Sequence, residues 1–225
     1  MTLKICEIFF SLQGESTFAG LPCVFVRLSG CNLACTWCDT LYARDVENVE
    51  DVKNANGESL DMTIDEIIDR VKSFGCTLVE ITGGEPLIQN KTPLLINKLI
   101  KLGFKVLLET NGSMSIKNIN TECVRIVDIK CPSSGESNKN LYENLEFLTQ
   151  KDQIKFVIAD KKDYQFTKKT LPKIKKIPAE HIHLSPVFDR IEPEKLAQWI
   201  LKDNLKARLS MQLHKIIWDP EKRGV

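Results

Sequence analysis

The chain predicts an α/β fold, built as an incomplete, partial TIM-type barrel of parallel βα units. Three observations predict it. Short apolar, β-prone segments alternate with helical ones from Thr63 onward. The 225 residues fall short of the roughly 250 that eight complete units need. And the loops rich in glycine, asparagine and cysteine all follow strands, at the end where parallel βα folds gather their active sites.

Ile5 to Phe10 reads as the first strand, ended by a polar, turn-like stretch from Ser11 to Ser16. Pro22 to Gly30 alternates, with Val24, Val26 and Leu28 on one face and Phe25, Arg27 and Ser29 on the other. Residues 45–61 are acidic and aperiodic and read as an exposed excursion. Thr63 and Glu66 form a capping box that opens a helix carrying Ile64, Ile67, Ile68 and Val71, with Gly75 as its stop. Thr77 to Thr82 is a strand, and Gly83-Gly84-Glu85-Pro86 a tight loop. A helix follows from Thr92 to Leu102, its inner face Leu95, Ile96, Leu99 and Ile100. Strand Lys105 to Glu109 ends in Thr110-Asn111-Gly112-Ser113, and strand Val124 to Lys130 in Cys131-Pro132-Ser133. A helix near Leu141 to Leu148, a strand from Gln153 to Ala159, a lysine-rich helix and a strand from His181 to Ser185 complete the alternation. Pro193 opens another helix, and the alternating Leu209, Met211 and Leu213 read as a last strand. One domain over 1–225 is the simplest organisation.

With 31 basic against 30 acidic side chains there is no charge excess to argue for nucleic acid. No apolar stretch reaches membrane-spanning length and no signal peptide is read, so no membrane partner and a cytoplasmic location are expected. Eight cysteines in such a chain point to metal or redox chemistry over disulfides.

The chemistry centres on Cys31, Cys35 and Cys38, spaced C-x3-C-x2-C. Soft thiolates this close select zinc, copper(I) or an iron–sulfur cluster. A closed site needs four protein ligands and no local fourth is present, so the centre is suited to binding something else. A structural zinc knuckle is the bland alternative. The glycines at 83 and 84 allow close backbone approach to a ligand, Glu85 offers a carboxylate to a cationic group, and Arg27 is either a strand-edge arginine paired to a nearby carboxylate or a guanidinium fork for an anion.

The cysteine triplet together with Gly83-Gly84-Glu85-Pro86 resembles the radical S-adenosylmethionine (SAM) superfamily. Within it, Leu12-Gln13-Gly14-Glu15, Arg27, Cys38-Asp39-Thr40 and the tail from Leu213-His214 to Val225 resemble the 7-carboxy-7-deazaguanine synthase family. The resemblance implies a lyase that turns 6-carboxy-5,6,7,8-tetrahydropterin into 7-carboxy-7-deazaguanine and ammonia, in queuosine and other deazapurine biosynthesis. It implies three cofactors: a 4Fe–4S cluster on Cys31, Cys35 and Cys38, SAM, and Mg2+ on Thr40. Leu12, Gln13, Gly14, Glu15, Arg27 and Thr82 would bind the pterin substrate, with Glu15 and Arg27 the catalytic candidates. Gly83, Gly84, Glu85, Ser113, Asp128, Lys130, Cys131, Pro132, Ser133 and Ser185 would line the SAM site. A homodimer is implied as well.

The lysines from 161 to 176 read as a solvated helix face or a docking site for an acidic, flavodoxin-type electron donor. Cys6, Cys23, Cys76 and Cys123 read as core residues, and His214 as a candidate for the pocket wall. A glycyl-radical enzyme activase shares the cysteine spacing and the glycine loop and is the rival enzyme; a non-catalytic zinc-binding module is the rival of another class.

Overall fold

The structure is a computed structural model that describes residues 2–44 and 60–225. Its centre is a nine-stranded sheet in the order β3-β1-β2-β4-β5-β6-β7-β8-β9. The strands are β1 (Thr2–Leu12), β2 (Pro22–Leu28), β3 (Leu60–Thr63), β4 (Leu78–Gly83), β5 (Lys105–Thr110), β6 (Val124–Asp128), β7 (Gln153–Ile158), β8 (Ile182–Pro186) and β9 (Arg208–Leu209). From β2 onward every neighbouring pair is parallel, while β1 pairs antiparallel with both β2 and β3. β3 and β9 are the two ends of the strand order, so the sheet is an unclosed barrel, as expected.

The helices α1 (Ile64–Lys72), α2 (Thr92–Lys101), α3 (Asn144–Phe147), α4 (Lys161–Thr170) and α5 (Pro193–Lys202) lie between strands, and α6 (Leu213–Ile217) follows the last. The capping box forms: the Thr63 hydroxyl accepts from Glu66 N, and the Glu66 carboxylate accepts from Thr63 N. The chain leaves α1 and α2 through Gly75 and Gly103, both at positive φ.

Strand alternation sorts the two faces. Val24, Val26, Val79, Ile81, Leu108, Ile154 and Phe156 point outward and form one buried cluster with Ile67, Val71, Leu95, Leu99 and Tyr164 of the helices. On the inner face, toward the start of the strands, Cys23, Leu78, Leu107, Val124 and Ile126 form a second cluster that plugs the barrel. Cys6, Cys23 and Cys123 are buried core residues and Cys76 is partly buried. Above the plug the inner face turns polar.

Several expected boundaries shift. β1 runs on to Leu12, through residues read as a turn, because its backbone stays paired to Cys23 and Pro22. Of the excursion at 45–61, residues 45–59 lie outside the described residues, whereas Leu60 and Asp61 pair with Ile5 and Lys4 in β3. The helix expected over Leu141 to Leu148 shortens to α3. The last strand is cut to Arg208–Leu209: Leu213 N donates to Gly14 O at 3.2 Å and α6 begins there. No helix among the described residues is long and apolar enough to cross a membrane.

Candidate active site

The carboxyl ends of the strands open into a cavity of about 670 Å3, within the range of small-molecule sites. Its base is the polar tier on the inner face. Glu80, Thr82, Glu109 and Lys155 line it, with Gln153 and His183 buried beside them. Lys155 Nζ bridges Glu15 at 2.8 Å and Glu109 at 3.0 Å. Burial pushes Glu109 up, but the ammonium of Lys155 overrides it and holds that carboxyl below its usual range. His183 Nε2 lies 2.8 Å from Gln153 Oε1, while Nδ1 has no partner.

Burial depresses His183 to about 4, so this ring is neutral in the fold. The unfolded chain protonates below its ordinary 6.5 while the folded one does not, so this contribution is complete above pH 6.5 and is lost as pH falls toward 4. The loss approaches about 1.4 kcal/mol per pH unit. His183→Gln is expected to flatten the fall in melting temperature over that window, which a pH series of thermal melts checks.

The segment after β1 supplies one wall. Gln13 is 4% exposed, and its side-chain oxygen accepts from Glu15 N and Ser16 N, both at 2.9 Å. Its amide nitrogen donates to Glu80 at 3.0 Å. Leu12, Gly14 and Glu15 line the cavity beside it. His214 packs so closely on Gly14 that a Cβ there would sit 2.9 Å from its Nδ1. Arg27 reaches the cavity from β2; its Nε donates to Glu7 at 2.7 Å, and Tyr42 donates to the same oxygen at 3.0 Å. Residues 220–225 close the mouth, with Arg223 over the Tyr42 ring at 3.9 Å.

Cys31, Cys35 and Cys38 share the same cavity, on a loop held at both ends. Gly30 N donates to Ala43 O and Cys31 N to Arg44 O. Asn111 Nδ2 donates to Cys31 Sγ at 3.6 Å and to Asn32 Oδ1 at 3.1 Å. Burial pushes the Cys35 thiol up to about 11, so binding a metal there releases a proton. Among the described residues no three histidine, cysteine or acidic side chains close on a single ion.

Thr40 and Asp128, Lys130, Gly83, Gly84 and Ser185 also line the cavity. Lys130 donates to Asp128 at 2.6 Å and lies over the Trp37 ring. The buried Glu15 Oε1, Asp128 Oδ1 and Ser185 Oγ have no partner within the protein. These are open acceptor and donor positions where polar groups of SAM and a substrate fit, beside three free thiols for a cluster.

Five expected site residues are absent from the cavity wall. Glu85, expected to face a cationic group, is fully buried and turned to its own loop and the end of β5, accepting from Leu87 N, Thr110 Oγ1 and Asn111 N. Ser113 bonds Asn111 and Asn32. Cys131 is fully buried against Thr167. Pro132 and Ser133 form a turn that braces the cysteine loop: Ser133 accepts from Thr36 Oγ1 and Trp37 Nε1 and donates to Asp163. The glycines serve backbone-to-backbone packing as well: a Cβ on Gly84 would lie 2.2 Å from Gly30 O.

Glu80, Glu109, Lys155 and Asn111 were not singled out from sequence. The signal was there for the first three, as charges within otherwise apolar parallel strands.

Residues 25–129 match the family model described as the radical SAM superfamily. The chain is 41% identical to the 7-carboxy-7-deazaguanine synthase of Koribacter versatilis, over 99% of this chain and 100% of that one. It is also 41% identical to the synthase of the same name from Chlorobaculum tepidum, over 99% and 97%. The crystal structure of QueE from Escherichia coli superposes with a TM-score of 0.75 at 27% identity, covering 94% of each chain. A cysteine loop and a polar inner tier facing one cavity, on a chain this similar from end to end, place it in the 7-carboxy-7-deazaguanine synthase family of the radical SAM superfamily.

Proposed function

We propose that this protein is a radical SAM lyase that converts 6-carboxy-5,6,7,8-tetrahydropterin into 7-carboxy-7-deazaguanine and ammonia, the deazapurine step of queuosine biosynthesis. The observation that carries the reading is one cavity with a cysteine loop at its mouth and a buried carboxylate–lysine tier at its base. When bound, the 4Fe–4S cluster and SAM supply an electron and an abstractor of hydrogen atoms. The chain's own residues hold, orient and enclose.

Cys31, Cys35 and Cys38 hold the cluster. The backbone at Gly83 and Gly84, with Asp128, Lys130 and Ser185, holds SAM; Glu85 contributes by fixing the glycine loop, and Ser113, Cys131, Pro132 and Ser133 by supporting the walls. Leu12, Gln13, Gly14 and Glu15 hold the pterin edge, aided by Thr82. Arg27, whose Nε is taken by Glu7, turns its terminal nitrogens to the substrate carboxylate. Thr40 gives Mg2+ a hydroxyl ligand, 3.8 Å from Cys38 Sγ and close enough to link the two sites. The chain works as one domain over 1–225, in a cytoplasmic homodimer, and the exposed lysines of α4 and the turn after it receive an acidic, flavodoxin-type donor. Neither the activase nor the zinc module accounts for the polar tier.

The test is SAM cleavage by the reconstituted protein under reducing, anaerobic conditions. Cleavage strongly stimulated by the pterin supports the reading; cleavage indifferent to it supports an activase, and bound zinc without cleavage the module. Thr40→Ala is expected to retain its cluster and lose about tenfold or more of the rate together with the response to Mg2+. A magnesium titration of product formation checks this, and an unchanged response removes the assignment.

A further inference from the structure

Three carboxylates, the buried Glu80 and the half-buried Glu15 and Glu109, meet a single buried ammonium, that of Lys155. Lys155 bonds Glu15 and Glu109 but not Glu80. Of the other cations at the cavity wall, Arg27 pairs with Glu7, Lys130 with Asp128 and Lys215 with Asp39. Glu80 is 2% exposed, and the partner it has is the neutral amide of Gln13. An ionised carboxylate this buried, flanked by two others and lacking a cation, is strongly disfavoured.

We propose that Glu80 is a positioning residue kept in its protonated form, whose neutral carboxyl clamps Gln13 and so holds the Leu12–Glu15 segment in shape for the substrate. The clamp is two-ended. Glu80 takes the nitrogen end of the Gln13 amide, and the backbone of Glu15 and Ser16 takes the oxygen end. The charged groups that face Glu80 are Glu15 from the same segment, Glu109 from β5 and Lys155 from β7, with the Cys23 thiol of β2 nearby. Burial, then Glu109, lift its carboxyl to about 8. Above that pH a third negative charge competes for Lys155, loosens its bonds to Glu15 and Glu109, and reshapes the wall.

The consequence is an alkaline limit on substrate affinity that belongs to this one side chain. It rests on the reading of the cavity as a pterin site, so two readouts are paired. The first ignores substrate: infrared difference spectra of the wild type and E80Q near neutral pH should show a protonated-carboxyl stretch that E80Q lacks. The second uses 6-carboxypterin as a stable probe with reconstituted protein, its fluorescence quenching followed from about pH 6.5 to about pH 9.5. Wild-type affinity is expected to fall above about pH 8, approaching tenfold per pH unit. Glu80→Ala is expected to bind roughly tenfold more weakly than the wild type does below about pH 8, because the Gln13 amide loses its acceptor, and to show no alkaline limb of its own. Glu80→Gln keeps that acceptor without the charge, so it should restore the affinity and abolish the alkaline limb. An alkaline limb that survives in E80Q, or infrared spectra with no lost carboxyl band, would overturn the proposal. Failure of the wild type to bind the probe at any pH would count against the pterin reading, with the infrared band still deciding the state of Glu80.

Discussion

A Gly84→Ala chain is expected to take up less than a tenth of the wild-type iron on reconstitution and to lose about 3 kcal/mol of stability. The added Cβ would meet Gly30 O at 2.2 Å, Gly30 C at 2.6 Å and Cys31 Cβ at 2.7 Å. Two of these atoms are backbone and the third is the Cβ of Cys31, the first of the three proposed cluster ligands, so none is the free end of a flexible side chain. The strand-to-loop junction is tied at the same point, where Glu85 N donates to Gly30 O at 2.7 Å and Gly84 N to Leu28 O at 3.3 Å. Relief must therefore come from moving the cysteine loop. Gly103→Ala is the control: its φ of 86° makes alanine unfavourable by about 1–2 kcal/mol, but nothing lies within 4 Å and the cluster should load normally. Absorbance of the reconstituted cluster and denaturant melts of both variants check this.

Lys155→Met is expected to cost about 3–5 kcal/mol and to raise KM for the pterin far more than it affects SAM binding. Its ammonium is the shared partner of Glu15 and Glu109, and removing it leaves two half-buried carboxylates facing Glu80 with no cation among them. Burial works against the charge on Lys155, but Glu109 and Glu15 hold its ammonium well above the usual lysine range. The site is thus a coupled unit, and neutralising one carboxylate should return part of the loss. Lys155→Met combined with Glu109→Gln is expected to be more stable than Lys155→Met alone, a non-additivity that a double-mutant cycle measures. Strict additivity would show that the three groups do not act together.

These effects mark what the sequence makes legible. The order of strands and helices was readable because alternation at Val24, Val26 and Leu28, the Thr63–Glu66 capping box and the stops at Gly75 and Gly103 are local signals with local causes. β3 is not legible in the sequence because Leu60–Thr63 is only four residues long and becomes a strand through pairing with the edge of β1. The last strand was extended too far because Leu209, Met211 and Leu213 alternate, and a contact with Gly14, 199 residues away from Leu213, turns the chain into α6. The cysteine loop declared itself by spacing, and it faces the cavity as expected. The direction of the Glu85 carboxylate did not, since it follows from Thr110 and Asn111 arriving on β5. Glu80, Glu109 and Lys155 lie on three strands that are separate in sequence, and register alone brings them together.

The measurement that bears most directly on the account is anaerobic turnover by the reconstituted protein with a reductant, SAM, Mg2+ and 6-carboxy-5,6,7,8-tetrahydropterin, the product followed by mass. The account predicts 7-carboxy-7-deazaguanine with one ammonia released per product, and none from a chain carrying Cys31→Ala, Cys35→Ala and Cys38→Ala. Cleavage of SAM with the pterin recovered intact would contradict it.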